Sequence, residues 1–417
     1  MPKPSPGRPY TIVKGDTLTH IARAAFGNGR DWRRIWKANS SVLRSGDPNL
    51  IFPGEVINIP GLAPEIKALE KDTTDKVLTD KEPDDFTIVI EGREVPVQNG
   101  QIVRAADTAA HGWTADLYAY DADAELRELL RPFMYHEAQA YLGGRLVVDG
   151  RLYTVKHSIS DGGIVASLEG WNYAADIVDS TVKPPYEASK ITLEQRARNL
   201  IEPLGISVSF DLDDDSQFDR VTADKTETIF DHLVSLARQR GALITSDNEG
   251  GLVFTQATTG SPVGTLEEGV PPFKKGEIKF DGRARFNVYK ALGQSPKKNA
   301  KTATAKDSRV PLSRFSTFTA DDSTDGDIQK AADWKRSKQI AEALTFSLPV
   351  PTWYAPNGSL WAPNTIVTVK SKTLYIEDGY NFLIREVQYD FADSGTTATL
   401  HLVPPETFTG EEIVEPW

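Results

Sequence analysis

The sequence predicts a multidomain protein, mainly β with α+β parts, and three observations carry that expectation. Residues 10–60 place two helix-period segments between two short alternating runs. Residues 145–168 and 374–402 repeat one order of alternating runs and Asp/Gly turns. Between them, residues 188–257 mix helical and strand patterns. The expected organisation is an N-terminal β-α-α-β domain (1–62), a linker (63–84), an antiparallel β unit (85–187), a small α+β insert (188–270) and a second β unit (271–417).

Tyr10-Thr11-Ile12-Val13 alternates as a strand. Lys14-Gly15-Asp16-Thr17-Leu18 is a turn leading into a helix, with Asp16 placed to cap its first N–H groups. Leu18, Ile21, Ala22 and Ala25 recur at helical spacing, and Gly27 stops the run. Asp31 can cap a second short helix with Trp32, Ile35 and Trp36 on one face. A turn at Asp47-Pro48-Asn49 leads through Leu50 to Gly54 into a closing strand, Val56 to Pro60. At about 50 residues the unit is near the lower limit for one core without staples.

Residues 61–84 are charged and free of aromatics, and read as a linker with a short helix at Pro64 to Lys71. Phe86–Ile90 and Glu94–Val97 flank Glu91-Gly92-Arg93 as a hairpin. Gly112 to Tyr120 alternates as a half-buried strand, and Asp123 can cap a helix carrying Leu126, Leu129 and Leu130. Strands follow at Arg145–Val148, Arg151–Val155 and Ile164–Leu168, with turns at Asp149-Gly150 and Asp161-Gly162-Gly163. The late series runs Leu374–Ile376, Phe382–Val387 and Thr397–Leu402, with turns at Asp378-Gly379 and Asp393-Ser394-Gly395. The shared order points to an internal duplication of an antiparallel β unit; the alternative is that β-meanders look alike.

In the insert, Thr192-x-x-Gln195 is a capping box. Thr226–Gln239 is a helix with Ile229, Leu233 and Leu236 on one stripe, stopped by Gly241. Ala242–Thr245 and Leu252–Thr255 read as a hairpin around Asp247–Gly251. Residues 295–327 are polar and are expected as a long loop ordered only against a partner, before a helix over 328–344.

The chain has no cysteine, which excludes disulfides and thiolate metal sites and fits synthesis in a reducing compartment. No apolar run approaches membrane-spanning length, and Met1–Pro9 lacks a signal core, so neither a membrane segment nor Sec-type export is expected. Residues 1–60 carry nine basic and four acidic side chains, a balance of +5, so residues 61–417 carry −17 and the whole chain −12. Such a body should repel nucleic acid. The basic small domain could meet an anionic partner, or its charges form a solvated face. The six histidines show no metal-site spacing, and neither a nucleophile elbow nor a phosphate loop occurs. Asp211, Asp213, Asp214 and Asp215 lack the Gly and Glu of a cation loop and read as a solvated turn. Trp113, Trp171, Trp334, Trp353, Trp361 and Trp417 could form a sugar platform, but core and interface positions are commoner for tryptophan. Trp417 is expected to pack under a partner. No catalytic residue, metal site or cofactor is expected.

Val13-Lys14-Gly15-Asp16-Thr17-Leu18, Ile21-Ala22, Trp36-Lys37-Ala38-Asn39 and Pro53-Gly54-x-x-Ile57-x-Ile59-Pro60 together resemble a LysM domain, over Tyr10 to Pro60. LysM domains often bind N-acetylglucosamine polymers between two loops. The resemblance implies a groove for a glycan or a partner between Gly15, Asp16, Thr17 and Leu18 and Pro48, Asn49, Leu50 and Ile51. Read on the residues alone, these positions could equally just turn the chain and fill a small core.

The segment Ser359-Leu360-Trp361-Ala362-Pro363-Asn364-Thr365, the strand Phe382–Val387 and the ending Pro404-Pro405-Glu406-Thr407-Phe408 look like the baseplate hub proteins of phage Mu-type contractile tails, akin to late-control proteins. The resemblance covers roughly residues 84–408. It implies that the two β units are tube-like antiparallel β-barrels. It also implies a homotrimer whose six barrels imitate the hexameric tail tube, sitting between tube and spike. The partners so implied are further copies, tail tube or tube-initiator proteins, the spike protein, and baseplate wedge or sheath proteins, with peptidoglycan a further candidate. The implied location is the virion tail baseplate, assembled in the host cytoplasm. Readings from other classes are a tail-associated peptidoglycan hydrolase targeted by LysM, and a wall-binding protein that cleaves nothing.

Overall fold

The computed structural model describes residues 4–5, 7–26, 29, 32–40, 43–45, 48, 50–60, 78, 81–118, 123–160, 163–212, 214–293, 302–320, 328–408, 411 and 413–417. Gly27, Asp31, Asp47, Asn49 and the linker helix expected at Pro64–Lys71 lie outside them. The chain forms two compact units, one of Met1–Lys76 with Pro203–Gly205 and one of Val77–Glu202 with Ile206–Trp417.

The small unit is β1 (Pro9–Thr11), α1 (Leu18–Phe26), α2 (Trp32–Asn39) and β2 (Val56–Asn58), in the order the sequence predicts. β1 and β2 pair antiparallel, with Tyr10 opposite Ile57. Ile12, Ile21, Ile35 and Ile57 are all but fully buried between sheet and helices. Buried Asn39 ties α2 to β2: its amide nitrogen donates to Ile35 O (2.6 Å) and Asn58 O (2.7 Å), and its oxygen accepts from Asn58 N (2.8 Å).

The large unit opens with β3 (Phe86–Ile90), β4 (Arg93–Val95), β5 (Asn99–Ala105), β6 (Gly112–Tyr118), α3 (Ala124–Leu129), β7 (Glu137–Leu142), β8 (Arg145–Ser160) and β9 (Gly163–Asn172). Glu91 and Gly92 both have positive φ (50° and 80°), as a two-residue hairpin turn between β3 and β4 demands. Asp123 caps α3, accepting from Glu125 N (3.0 Å) and Leu126 N (2.9 Å). The insert holds α4 (Asp176–Asp179), β10 (Glu187–Thr192), α5 (Leu193–Ile201), β11 (Val208–Phe210), β12 (Gln217–Thr222), α6 (Ile229–Gln239), β13 (Leu243–Ser246) and β14 (Leu252–Thr255). The Thr192/Gln195 capping box closes at 3.1 Å in both directions. The remainder is β15 (Thr265–Glu267), β16 (Glu277–Phe280), β17 (Val288–Gly293), β18 (Thr302–Lys306), β19 (Phe315–Ala320), α7 (Ile328–Glu342), β20 (Leu344–Val350), β21 (Ile366–Ser371), β22 (Ile376–Ala392) and β23 (Gly395–Val403).

The strand orders β5-β6-β9-β8-β7 and β16-β20-β23-β22-β21 are the same, antiparallel at every step. Trp113, Ala115 and Leu117 of β6 fill the core places that Phe346, Leu348 and Val350 of β20 fill in the second copy, and all six are buried. Burial of each of the larger side chains is worth about 1.5–3 kcal/mol. The copies are not closed as barrels among the described residues. They are joined edge to edge in one open sheet, because β22 runs past β21 and pairs Glu386–Phe391 with Gly100–Ala105 of β5.

The turns expected at Asp149-Gly150 and Asp378-Gly379 lie inside the long strands β8 and β22. Gly150 marks a close approach instead: a Cβ there would stand 1.9 Å from Trp171 O of the neighbouring strand. Part of the polar segment 295–327, expected as a loop, is sheet. β18 pairs antiparallel and β19 parallel with β17, and Ala303 and Ala305 face Ala332 of α7. Alternating alanines bury too little area to announce a strand. Trp417 packs within its own chain, edge-on to Phe280 with ring centroids 4.8 Å apart.

Candidate functional site

Ile12 N donates to Glu55 O (2.9 Å) and Gly54 N to Ile12 O (2.8 Å). These bonds extend the β1–β2 ladder and set the turn after β1 beside the turn before β2, so Gly15 to Leu18 and Leu50 to Phe52 emerge at one end of the small sheet. Asp16 does not cap α1. Its carboxylate accepts from Tyr10 Oη and Val13 N, both at 2.9 Å, and locks the turn. Because α1 begins at Leu18, the cap falls to Thr17, whose hydroxyl accepts from His20 N (3.1 Å). Burial, and then Asp16, push the Tyr10 phenol above its ordinary range. Gly15, at φ 97°, supplies the left-handed turn.

Leu18 is buried and Ile51 packs on the core, so both serve the interior. Pro48 is half-buried, and Asn49 lies outside the described residues. Leu50 is 50% exposed, and Phe52, which the sequence reading left out of the groove, is 39% exposed. The loop that carries them is held by Glu55, which accepts from Phe52 N (2.7 Å) and Arg44 N (2.9 Å). Those backbone donors, Arg44 first, lower the Glu55 pKa. An apolar edge at Leu50 and Phe52 with Thr17 nearby can take the face of a sugar ring or an apolar protein surface.

In the large unit, a cleft of about 500 Å³ lies between α6, α7 and strands β20, β22 and β23. Arg238 and Lys338 stand over the Trp334 ring at 5.3 and 5.1 Å. Burial, and then Arg238, lower the Lys338 pKa. Across the cleft Arg385 pairs with Asp107 at 2.9 Å. Sequence reasoning missed this cluster; its one signal was Trp334 and Lys338 at helical i, i+4 spacing.

The remaining candidates are absorbed by the fold. Trp113, Trp353 and Trp361 are buried, which removes them from any sugar platform. Asp214 accepts from Ser216 N (2.9 Å) and pairs with Arg240 at 3.5 Å. His111 is bonded to Ala105 O (3.0 Å) and Ser246 Oγ (2.9 Å), and burial drives its pKa down to about 3. His232 sits 3.1 Å from Arg196 Nε, and burial lowers its pKa to about 4. Among the described residues no group of three or more His, Asp or Glu could hold a metal ion, and no helix is long and apolar enough to cross a membrane.

Three family models match separate parts of the chain: the LysM domain over residues 10–60, the second domain of the gp44-like baseplate hub protein over 174–256, and the fourth domain of the Mu phage baseplate assembly protein GpP over 324–411. The baseplate hub protein gp44 of Escherichia phage Mu is 28% identical over 286 residues, an alignment covering 64% of this chain and 74% of that protein. The 43 kDa tail protein of prophage MuSo2 from Shewanella oneidensis shares the fold, with a TM-score of 0.67 and 24% identity over 78% of this chain and 99% of that one. A tail protein from Neisseria meningitidis MC58 matches with a TM-score of 0.69 and 20% identity over 78% and 98% of the two chains. By sequence homology and by fold, then, the chain is a relative of the Mu-type contractile-tail baseplate hub proteins that carries an N-terminal LysM domain.

Proposed function

We propose that the chain is a structural hub of a contractile-tail baseplate, with no turnover of its own. Three copies join the hexameric tail tube to the trimeric spike. The observation that carries this reading is the repeated five-strand order, β5-β6-β9-β8-β7 and β16-β20-β23-β22-β21. Two like modules per chain, taken three times, present six near-equivalent modules to a sixfold ring. The acidic body suits a conduit through which DNA passes without sticking. The test is the mass of the purified full chain by light scattering. Three chain masses support the hub, and a monomer at every concentration contradicts it.

Within the hub the LysM domain acts as an adaptor. Its apolar edge at Leu50 and Phe52 grips a neighbouring baseplate, tube or sheath protein. The LysM family match favours a second reading, in which the same edge holds peptidoglycan. Sedimentation of the full chain with insoluble peptidoglycan separates the two. Retention that Leu50→Ala weakens favours the wall, and a chain that stays in the supernatant favours the protein partner. Glycan release by the pure chain would contradict both and point to a hydrolase.

A further inference from the structure

The duplication is close enough to set two edges side by side. β8 and β22 each carry a one-residue bulge eight residues before their hairpin turns, at Tyr153 and Arg385. One edge of each long strand pairs with its hairpin partner up to the turn, Gly150–Ser160 of β8 with β9 and Leu383–Ala392 of β22 with β23. On the other edge β22 pairs first with β21 and then, past the bulge, with β5. β8 pairs with β7 in its first half, and the ladder ends where Leu152 N donates to His136 O at 2.9 Å. Past that bond, no strand of the described residues follows this edge of β8. At the far end of the sheet β16, the counterpart of β5, pairs only with β20 among the described residues.

We propose that the outer half of β8 pairs antiparallel with β16 of a second copy, in the register the chain uses internally between β22 and β5. The proposal rests on the trimer reading above and names the edges that make it. The register follows from equivalent ladders. Glu169 and His401 stand six residues beyond the first residues of β9 and β23, and they pair with Thr114 and Ser347. Those residues pair in turn with Gln101 and Glu277. Gln101 faces Asp390, the counterpart of Ser158, so Glu277 of one copy faces Ser158 of the next.

The neighbouring pairs then set Phe280 opposite Val155 and Gly276 opposite Ile159. The internal template matches, since Gly100 stands opposite Phe391 there, as Gly276 would stand opposite Ile159. Ile159 is 83% exposed and Phe280 45% exposed, and the pairing covers both on one face. On the other face Lys156 meets Lys279, a like pair flanked diagonally by Glu277 and Asp281, which offset it. A head-to-tail join of this kind closes into a ring at three copies and leaves neither edge open to aggregation.

The absence of native cysteine makes disulfide trapping clean. Two double variants of the full chain, Val155→Cys/Phe280→Cys and Lys156→Cys/Lys279→Cys, test adjacent positions of the ladder. One of these is a non-hydrogen-bonded pair with Cα atoms about 4.5 Å apart, within disulfide reach. At least one is expected to give covalent dimers and trimers on oxidation, with each single variant giving none. Light scattering on the same samples separates the outcomes. A trimer without either cross-link overturns the edge assignment alone. A monomer without cross-links overturns the trimer as well. Cross-linking from a monomeric sample supports the edges and contradicts a stable trimer. Trapping by Val155→Cys with Glu277→Cys but by neither expected pair overturns the register.

Discussion

Tyr153 and Arg385 occupy the same place in two copies of one β unit, each the extra residue of a bulge in its long strand. Their side chains serve different ends. The Tyr153 hydroxyl donates to Asp176 at the start of the insert, beside Arg151, which reaches the same carboxylate at 2.7 Å. Arg385 reaches across the join between the copies to Asp107, at 2.9 Å, while its carbonyl accepts from Ala106 N at 2.7 Å. A bulge re-aims a side chain without breaking the strand, and here it aims one toward the insert and the other at the first copy.

Arg385→Ala should therefore weaken the join only modestly. The guanidinium is half exposed, so losing the pair costs about 0.5–1 kcal/mol, less at high salt, while the backbone bond persists. Urea unfolding at low and high ionic strength reads this. A loss that does not shrink with salt would mean that packing of the side-chain stem dominates.

Asn364 is expected to matter more. Its side-chain oxygen accepts from Thr258 N and its nitrogen donates to Gln256 O, both at 2.9 Å, fixing the chain as it leaves the insert. It also sits at φ 57°, a conformation asparagine tolerates better than alanine. Asn364→Ala should cost about 1–3 kcal/mol. Asn364→Gly, which relieves the backbone but removes the amide, should recover part of that. Equal losses in the two variants would show that the hydrogen bonds carry the whole effect.

The hairpin at Glu91-Gly92, the cap at Asp123, the capping box at Thr192 and the stripe of α6 were legible because each is a local rule with one geometric outcome. The Asp-Gly pairs at 149 and 378 were misleading for the same reason. Locally they spell a turn, but here the glycine serves a close approach of two strands or, at φ 83°, a bulge. The edge-to-edge join of β5 and β22 could not be read at all, since it couples residues nearly three hundred positions apart. In the LysM groove the turn positions were legible, but not the division of labour. Only the start of α1 at Leu18 decides that Thr17 caps and Asp16 locks.

Glu268 gives a pH prediction with a definite sign. Its carboxylate accepts from Thr373 Oγ1 (2.5 Å), Thr373 N (3.1 Å) and Ser371 Oγ (2.8 Å), and these donors, Thr373 first, lower its pKa to about 2. An unfolded glutamate titrates at about 4.3. The folded value is the lower, so the stabilisation is complete above that pH and is lost as pH falls toward 2. The gap in urea midpoint between the native chain and Glu268→Gln should be constant near neutrality and close in acid. A gap that widens in acid would contradict the assignment.

Asn39 tests the small unit in the same terms. A core this size has little reserve, and one side chain supplies two bonds that hold α2 against β2, besides one back to Ile35 O of its own helix. Asn39→Ala removes the side-chain partners of the part-buried Asn58 N–H and C=O together, at a cost of about 1–3 kcal/mol, a large share of the stability of a domain of this length. Asn39→Asp keeps the acceptor for Asn58 N but sets a carboxylate against Ile35 O and Asn58 O. It should therefore be nearly as harmful at neutral pH and recover in acid, when the protonated acid can donate again. Amide exchange at Asn58 in the full chain reads both variants. Unchanged protection of that N–H in Asn39→Ala would mean that the helix is held by the apolar core alone.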